Sequence, residues 1–182
     1  MKALSLAQPH AIIMVGIPGS GKTHFASKFS DTFNAPFINL DTLLPLALDI
    51  ESAAQIAESQ LKELLKTKQS ILIEVNTATR QNRTELSKIV REAGYVPLIV
   101  WVQTDKVTAK KRVAKKDANF DELEKKFSPP HEKEHPTVIS GKHTYASQAK
   151  TILQKLSAPR TTRSELDQQP HRTKRAGSIM IQ

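Results

Sequence analysis

The sequence predicts an α/β fold in three layers: a five-stranded parallel sheet with helices on both faces and a small lid. Two observations lead there. Apolar runs of strand length alternate with longer amphipathic segments, the pattern of β-α-β units whose sheet is covered on both sides. A glycine-rich stretch, Gly16-Ile17-Pro18-Gly19-Ser20-Gly21-Lys22-Thr23, follows the first of those runs directly and opens a segment free of helix breakers. At 182 residues the chain is long enough for one domain with a proper core and too short for two comfortable ones.

The elements follow in order. Ala11 to Val15 is a short, wholly apolar run of the kind a buried parallel strand shows, and Lys22 to Phe33 is the helix after the glycine stretch. Pro36 to Asn39 is the second strand. Glu51 to Thr67 is a helix with Ile56, Leu61, Leu64 and Leu65 on one side and Glu58, Lys62, Glu63 and Lys66 mostly on the other. Ser70 to Glu74 is the third strand, Arg80 to Ala93 a helix closed by Gly94 as a C-cap, and Pro97 to Val102 the fourth strand. Val107 to Lys116 is helical, Thr137 to Ile139 is a weaker fifth strand, and Tyr145 to Leu156 is the last helix. Between Lys116 and Pro136 the chain is strongly charged, carries Pro129-Pro130 and has few large apolar residues, so no sheet strand is expected there and about 117–136 reads as the lid. Residues 1–158 form the domain; 159–182 are rich in Thr, Arg, Ser, Gln and Pro, with too little apolar surface to repay ordering entropy, and read as a basic, disordered tail.

Gly16 to Thr23 matches G-x-x-x-x-G-K-[ST] at every fixed position, the phosphate-cradling P-loop, and makes the predicted fold a P-loop NTPase fold. A polyphosphate must be wrapped by backbone N–H groups, and residues without a Cβ let the chain curl that closely. The helix opening at Lys22 adds its unpaired amides and the positive end of its dipole. Ile17, Pro18 and Ser20 complete the cradle, Lys22 is expected to reach the β- and γ-phosphates, and the Thr23 hydroxyl to ligate the Mg²⁺ that bridges them. The expected cofactors are ATP and Mg²⁺, with the choice of ATP over GTP left open.

Ligands sit at the carboxyl ends of parallel strands, so the acids that end the other strands come next. Asp41 follows Phe37-Ile38-Asn39-Leu40 and has two readings: the general base that takes the proton of an attacking hydroxyl, or the N-cap of the following turn. Glu74 ends Ile71-Leu72-Ile73, the apolar run plus acid of a Walker B strand, and would hold Mg²⁺ directly or through water. Asn76 stands in the same crevice, and Arg80 and Arg83 read equally as anion contacts or solvated surface.

The net charge is +9 and there is no cysteine, which excludes disulfides and thiolate metal sites and fits a cytoplasmic protein. No apolar run approaches membrane-spanning length, and the N-terminus does not read as a signal peptide. Lys106, Lys110, Lys111, Arg112, Lys115 and Lys116 fall within one acid-free stretch, and Arg172, Lys174 and Arg175 form a second basic group. Such surplus means either attraction to a polyanionic partner or ordinary solubility. The six histidines form no helical metal pair, Trp101 reads as core, and His24 as helix surface.

From Ala11 to Leu156 the chain resembles the small P-loop kinases of the polynucleotide kinase type, also described as AAA-domain ATP-binding proteins. The P-loop, the Asn39-Leu40-Asp41 strand end, Ile71 to Asn76 with Arg80 and Arg83, and Lys111-Arg112 with Lys115-Lys116 carry the resemblance. It implies that Asp41 is the base, that Glu74 and Asn76 stand for the family's acid and amide, and that Arg112 clamps the transferring phosphoryl group, with Lys115 or Lys116 beside it as cations that lack an arginine's bidentate fork. Gly141 and Lys142, in the loop after the last strand, become purine neighbours; a plain strand-to-helix turn is the alternative. One departure bears on the acceptor: Leu43-Leu44-Pro45 stands where the family places an arginine for the acceptor's phosphate. The expected function is kinase transfer from ATP to a hydroxyl on a nucleic-acid end, nucleoside or small molecule. The alternatives are a nucleotide-dependent switch or nucleic-acid-binding ATPase, and a toxin-like kinase of nucleotide sugars.

Overall fold

Five strands pair into one parallel sheet: β1 (His10–Val15), β2 (Phe37–Asn39), β3 (Ile71–Glu74), β4 (Val96–Gln103) and β5 (Thr137–Ser140), in the spatial order β2-β3-β1-β4-β5. The computed structural model describes residues 6–113 and 120–157. Lys115, Lys116, the start of the expected lid and the whole tail therefore lie outside the described residues. The central strand β1 pairs with β3 and β4 at once, Ile12 lying between Leu72 and Leu98. Ala11 through Val15 are all fully buried, which is why that run alternates with no polar residue.

Each face of the sheet has its own core. On one, α1 (Lys22–Phe33) and α7 (Tyr145–Ser157) bring Phe25, Phe29 and Ile152 onto Ile12, Met14, Leu72 and Val100. On the other, α3 (Ile50–Lys66) and α4 (Arg80–Glu92) bring Ala53, Ala57, Leu61, Leu65 and Val90 onto Ala11, Ile38, Ile71 and Ile73. Alternate residues of one strand thus feed opposite cores, as the two-residue period of a strand requires. The helix after β4, α5 (Lys106–Val113), packs Ala109 and Val113 against Phe120 of α6 (Phe120–Lys126) and against Ile17 of the glycine stretch.

The five strands and five long helices stand where the sequence places them, and residues 120–136 contribute no strand. Among the described residues two α-helices are additions, the single turn α2 (Leu40–Leu43) and α6, as are the 3-10 turns Leu44–Leu46 and Glu132–Glu134. Glycine is required where β5 turns back. A Cβ on Gly141 would collide with the Ser20 carbonyl and the Thr104 hydroxyl, so the β5–α7 turn lies directly against the glycine stretch.

Candidate active site

The glycine stretch runs from the end of β1 to the first residue of α1. Gly21, at the N-cap of α1, holds a left-handed conformation (φ 105°), which a side chain rarely adopts. No side chain caps α1 and no acid stands in its first turn. The helix therefore presents its amides and the positive end of its dipole uncompensated, the condition for seating an anion. Ser20 is fully buried and its Oγ has no hydrogen-bond partner among the described residues.

Lys22, Thr23 and Glu74 converge at the start of α1. The Lys22 Nζ donates to the Ile17 carbonyl at 3.2 Å and lies 3.6 Å from Glu74 Oε1; the side chains are 15% and 12% exposed. The Thr23 hydroxyl donates to the same carboxylate oxygen at 3.0 Å. Burial lowers the Lys22 pKa, against the pull of Glu74 and Asp41. Burial likewise raises that of Glu74, opposed by Lys22 and Thr23 and reinforced by Asp41. The other Glu74 oxygen, Oε2, is buried with no partner among the described residues. A buried carboxylate oxygen with nothing to accept from, beside a hydroxyl, suits a hard divalent cation, so Thr23 and Glu74 are the residues that could hold Mg²⁺.

Asp41 lies in the first turn of α2 with its side chain exposed. The cap of that turn is Asn39, whose Oδ1 accepts from the Asp41 amide at 2.7 Å. Of the two readings of Asp41 the capping one therefore falls away, and its carboxylate stays available in the electrostatic field of Lys22 and Glu74.

Arg112 reaches the glycine stretch from its carbonyl side, donating to Gly19 and Ser20 at 3.3 Å each and to Gly141 at 3.1 Å. Thr104 donates to the same Ser20 carbonyl at 3.0 Å. Lys142 pairs with Asp105 at 2.5 Å, and with the Thr108 amide this holds the Asp105 carboxyl well below the usual carboxylate range. Arg112, Gly141 and Lys142 thus gather at one rim of the loop. Two lysines of the same stretch bind α6 instead: Lys106 pairs with Glu124 at 2.8 Å and Lys110 with Asp121 at 2.7 Å. Trp101 is only half-buried; with Ile17, Gln103 and Phe127 it lines a cavity of about 460 Å³.

Arg83 fits neither sequence reading. It is fully buried and forms a bidentate pair with Glu134, at 2.7 and 3.0 Å, while its Nη1 donates to the carbonyls of Thr77, Ala78 and Ser128. It ties the chain after α6 to the loop that leaves Glu74. Its partner lies fifty-one residues away, and no local pattern announces it.

Together the sheet order, the uncapped glycine loop and the Lys22–Glu74–Thr23 cluster define a P-loop fold of the kinase type. Residues 12–128 match the AAA domain family, well over half of the chain, and the protein belongs to that family. No curated protein matches the sequence. Among solved structures it is similar to the APS kinase of Mycobacterium tuberculosis, with a TM-score of 0.65 and 15% identity over 83% of this chain and 99% of that one. It is also similar to a gluconokinase of Sinorhizobium meliloti 1021 (TM-score 0.57, 16% identity, 81% of this chain and 91% of that one). A sugar kinase of Janibacter sp. HTCC2649 is a third (TM-score 0.55, 16% identity, 80% and 93%). These likenesses establish the fold.

Proposed function

We propose that this protein is an ATP-dependent kinase that transfers the γ-phosphate to the hydroxyl of a small-molecule acceptor. The carrying observation is the uncapped glycine loop with Lys22, Thr23 and Glu74 gathered at its end and the uncommitted carboxylate of Asp41 nearby. The loop amides of Gly16 to Thr23 and the Lys22 ammonium hold the β- and γ-phosphates. Thr23 and Glu74 hold Mg²⁺, which when bound neutralises charge on those phosphates. Asp41 accepts the proton of the acceptor hydroxyl as its oxygen bonds to the γ-phosphorus, the bond from that phosphorus to the bridging oxygen breaks, and ADP leaves. Arg112 neutralises the migrating charge from the rim, with Gly141 and Lys142 beside the purine; such preorganised charge is the larger part of phosphoryl-transfer catalysis. The structural neighbours, named as APS kinase, gluconokinase and sugar kinase, support phosphotransfer to a small molecule over transfer to a nucleic-acid end.

The test is incubation with γ-labelled ATP and a panel of nucleosides, sugars, small alcohols and RNA ends, with Lys22→Ala as the blank. Label on one acceptor class, absent from the blank, supports the reading. Release of label only as inorganic phosphate would leave an ATPase instead.

A further inference from the structure

The P-loop is held from outside by the segment that follows β4. Gln103 ends that strand, and Thr104 and Asp105 lead into α5. The Thr104 hydroxyl stands between two carbonyls, that of its neighbour Gln103 at 2.9 Å and that of Ser20 at 3.0 Å. It has one hydrogen to give. The Gln103 carbonyl already accepts from the Gly141 amide at 2.8 Å, while the Arg112 guanidinium reaches Ser20 only at 3.3 Å, so the Thr104 hydrogen points to Ser20. Asp105 caps α5 by accepting from the Thr108 amide at 2.9 Å and pairs with Lys142 beyond β5. The P-loop, the start of α5 and the β5–α7 turn thus meet at one joint, packed so closely that a Cβ on Gly141 would strike both the Ser20 carbonyl and the Thr104 hydroxyl.

The peptide plane carries this bond into the anion site. Every peptide among the described residues is trans, so the C=O and N–H of one unit point in opposite directions. In the unit between Ser20 and Gly21 the carbonyl is fixed toward Thr104, which turns the Gly21 N–H away from that side. The Ser20 amide is taken up by the Ile17 carbonyl at 3.1 Å, but no backbone carbonyl among the described residues accepts from the Gly21 amide. It is a free donor at the N-cap of α1, where an anion would sit. A carbonyl that accepts also polarises its own peptide and strengthens the amide on the other side of the plane. Gly21, with φ at 105°, has the freedom to let this unit rotate, and a rotated unit would face the phosphates with the Ser20 oxygen. Arg112 reaches the same carbonyl, yet in the proposed transfer its charge goes to the moving phosphoryl group. Thr104 has no second task there.

We propose that Thr104 is a positioning residue for the nucleotide's phosphates: its hydroxyl holds the Ser20 carbonyl outward and thereby keeps the Gly21 amide aimed at the anion. The proposal rests on the reading of Gly16 to Thr23 as the phosphate site. It assigns Thr104 no contact with the nucleotide and no part in bond making.

Two variants divide the side chain: Thr104→Val keeps its shape and loses the hydroxyl, and Thr104→Ser keeps the hydroxyl and loses the methyl group. Calorimetric titration with ATP and magnesium, and with inorganic pyrophosphate in competition, reads the phosphate site directly. Thr104→Val should weaken both ligands by about three- to tenfold, the scale of one hydrogen bond, while Thr104→Ser should stay within about twofold of the wild type. A Thr104→Val protein that binds both as the wild type does, or a Thr104→Ser protein that binds as weakly as Thr104→Val, overturns the proposal, since the hydroxyl would then do nothing that packing does not. A loss confined to ATP, or pyrophosphate that does not compete, also overturns it, because the effect would then lie outside the phosphates. The kinase reading is tested apart: hydroxyl-dependent binding with no acceptor labelled upholds Thr104 and removes the kinase alone, whereas a wild type that binds neither ligand removes both.

Discussion

Arg83 gives the sharpest test of how the fold is held. Arg83→Ala removes a guanidinium that is fully buried, leaves the Glu134 carboxylate without its bidentate partner and strips a donor from the Thr77, Ala78 and Ser128 carbonyls. Removing one member of a buried pair costs about 3–5 kcal/mol, because the remaining charge stays desolvated. At about 2–4 °C per kcal/mol for a domain of this size, the melting temperature should fall by roughly 6–20 °C in differential scanning calorimetry. The double variant Arg83→Ala/Glu134→Ala should lose less than the sum of the two single ones, since no stranded charge remains. The pH dependence has a definite sign. Burial alone would raise the Glu134 pKa, but the Arg83 and His131 N–H groups outweigh it and hold it below 4.5. A depressed carboxylate stabilises fully above its unfolded value and ceases to do so as the pH falls through its folded one. The stability gap between wild type and Glu134→Gln should therefore be widest at neutral pH and close below 4.5. A loss of less than about 2 °C for Arg83→Ala, or a gap that widens in acid, would refute the reasoning.

Three further outcomes follow from the site. Asp41→Asn should keep ATP affinity in a binding titration and lower kcat by about 10²-fold or more, the usual scale for a general base; matching losses in both would make Asp41 structural. Glu74→Gln should raise the magnesium concentration needed for half-maximal ATP binding, an effect absent when nucleotide binding is measured in chelator. Gly141→Ala drives a methyl group into the Ser20 carbonyl and the Thr104 hydroxyl, and overpacking of that kind costs about 1–3 kcal/mol, visible as a lower melting temperature together with weaker ATP binding.

What the sequence shows of this protein is what neighbouring residues can encode. A buried central strand needs only an unbroken apolar run, and Ala11 to Val15 supplies one; the P-loop needs its glycines, lysine and threonine within eight positions. The single-turn α2 and the seven-residue α6 escape because they are too short for a 3.6-residue period to accumulate, and α6 is held to α5 by pairs eleven and eighteen residues apart.

The same limit separates a residue's presence from its use. Asp41 as base and Asp41 as cap look alike along the chain, since each needs only an acid after a strand; what divides them is that Asn39 takes the Asp41 amide. Arg83 and Arg112 sit in basic helices and look equally suited to an anion. Yet Arg83 lies behind the loop that follows Glu74 and closes on Glu134, while Arg112 bonds three carbonyls at the mouth of the P-loop. An arginine's partners are settled by which carbonyls and carboxylates the fold brings within hydrogen-bond reach. Sheet order sets that reach: β4 beside β1 brings α5 over the P-loop, and the return through β5 brings Gly141 against Ser20. Only once those crossovers are fixed can the two arginines be told apart, one as a brace between distant segments and the other as a charge beside the P-loop carbonyls.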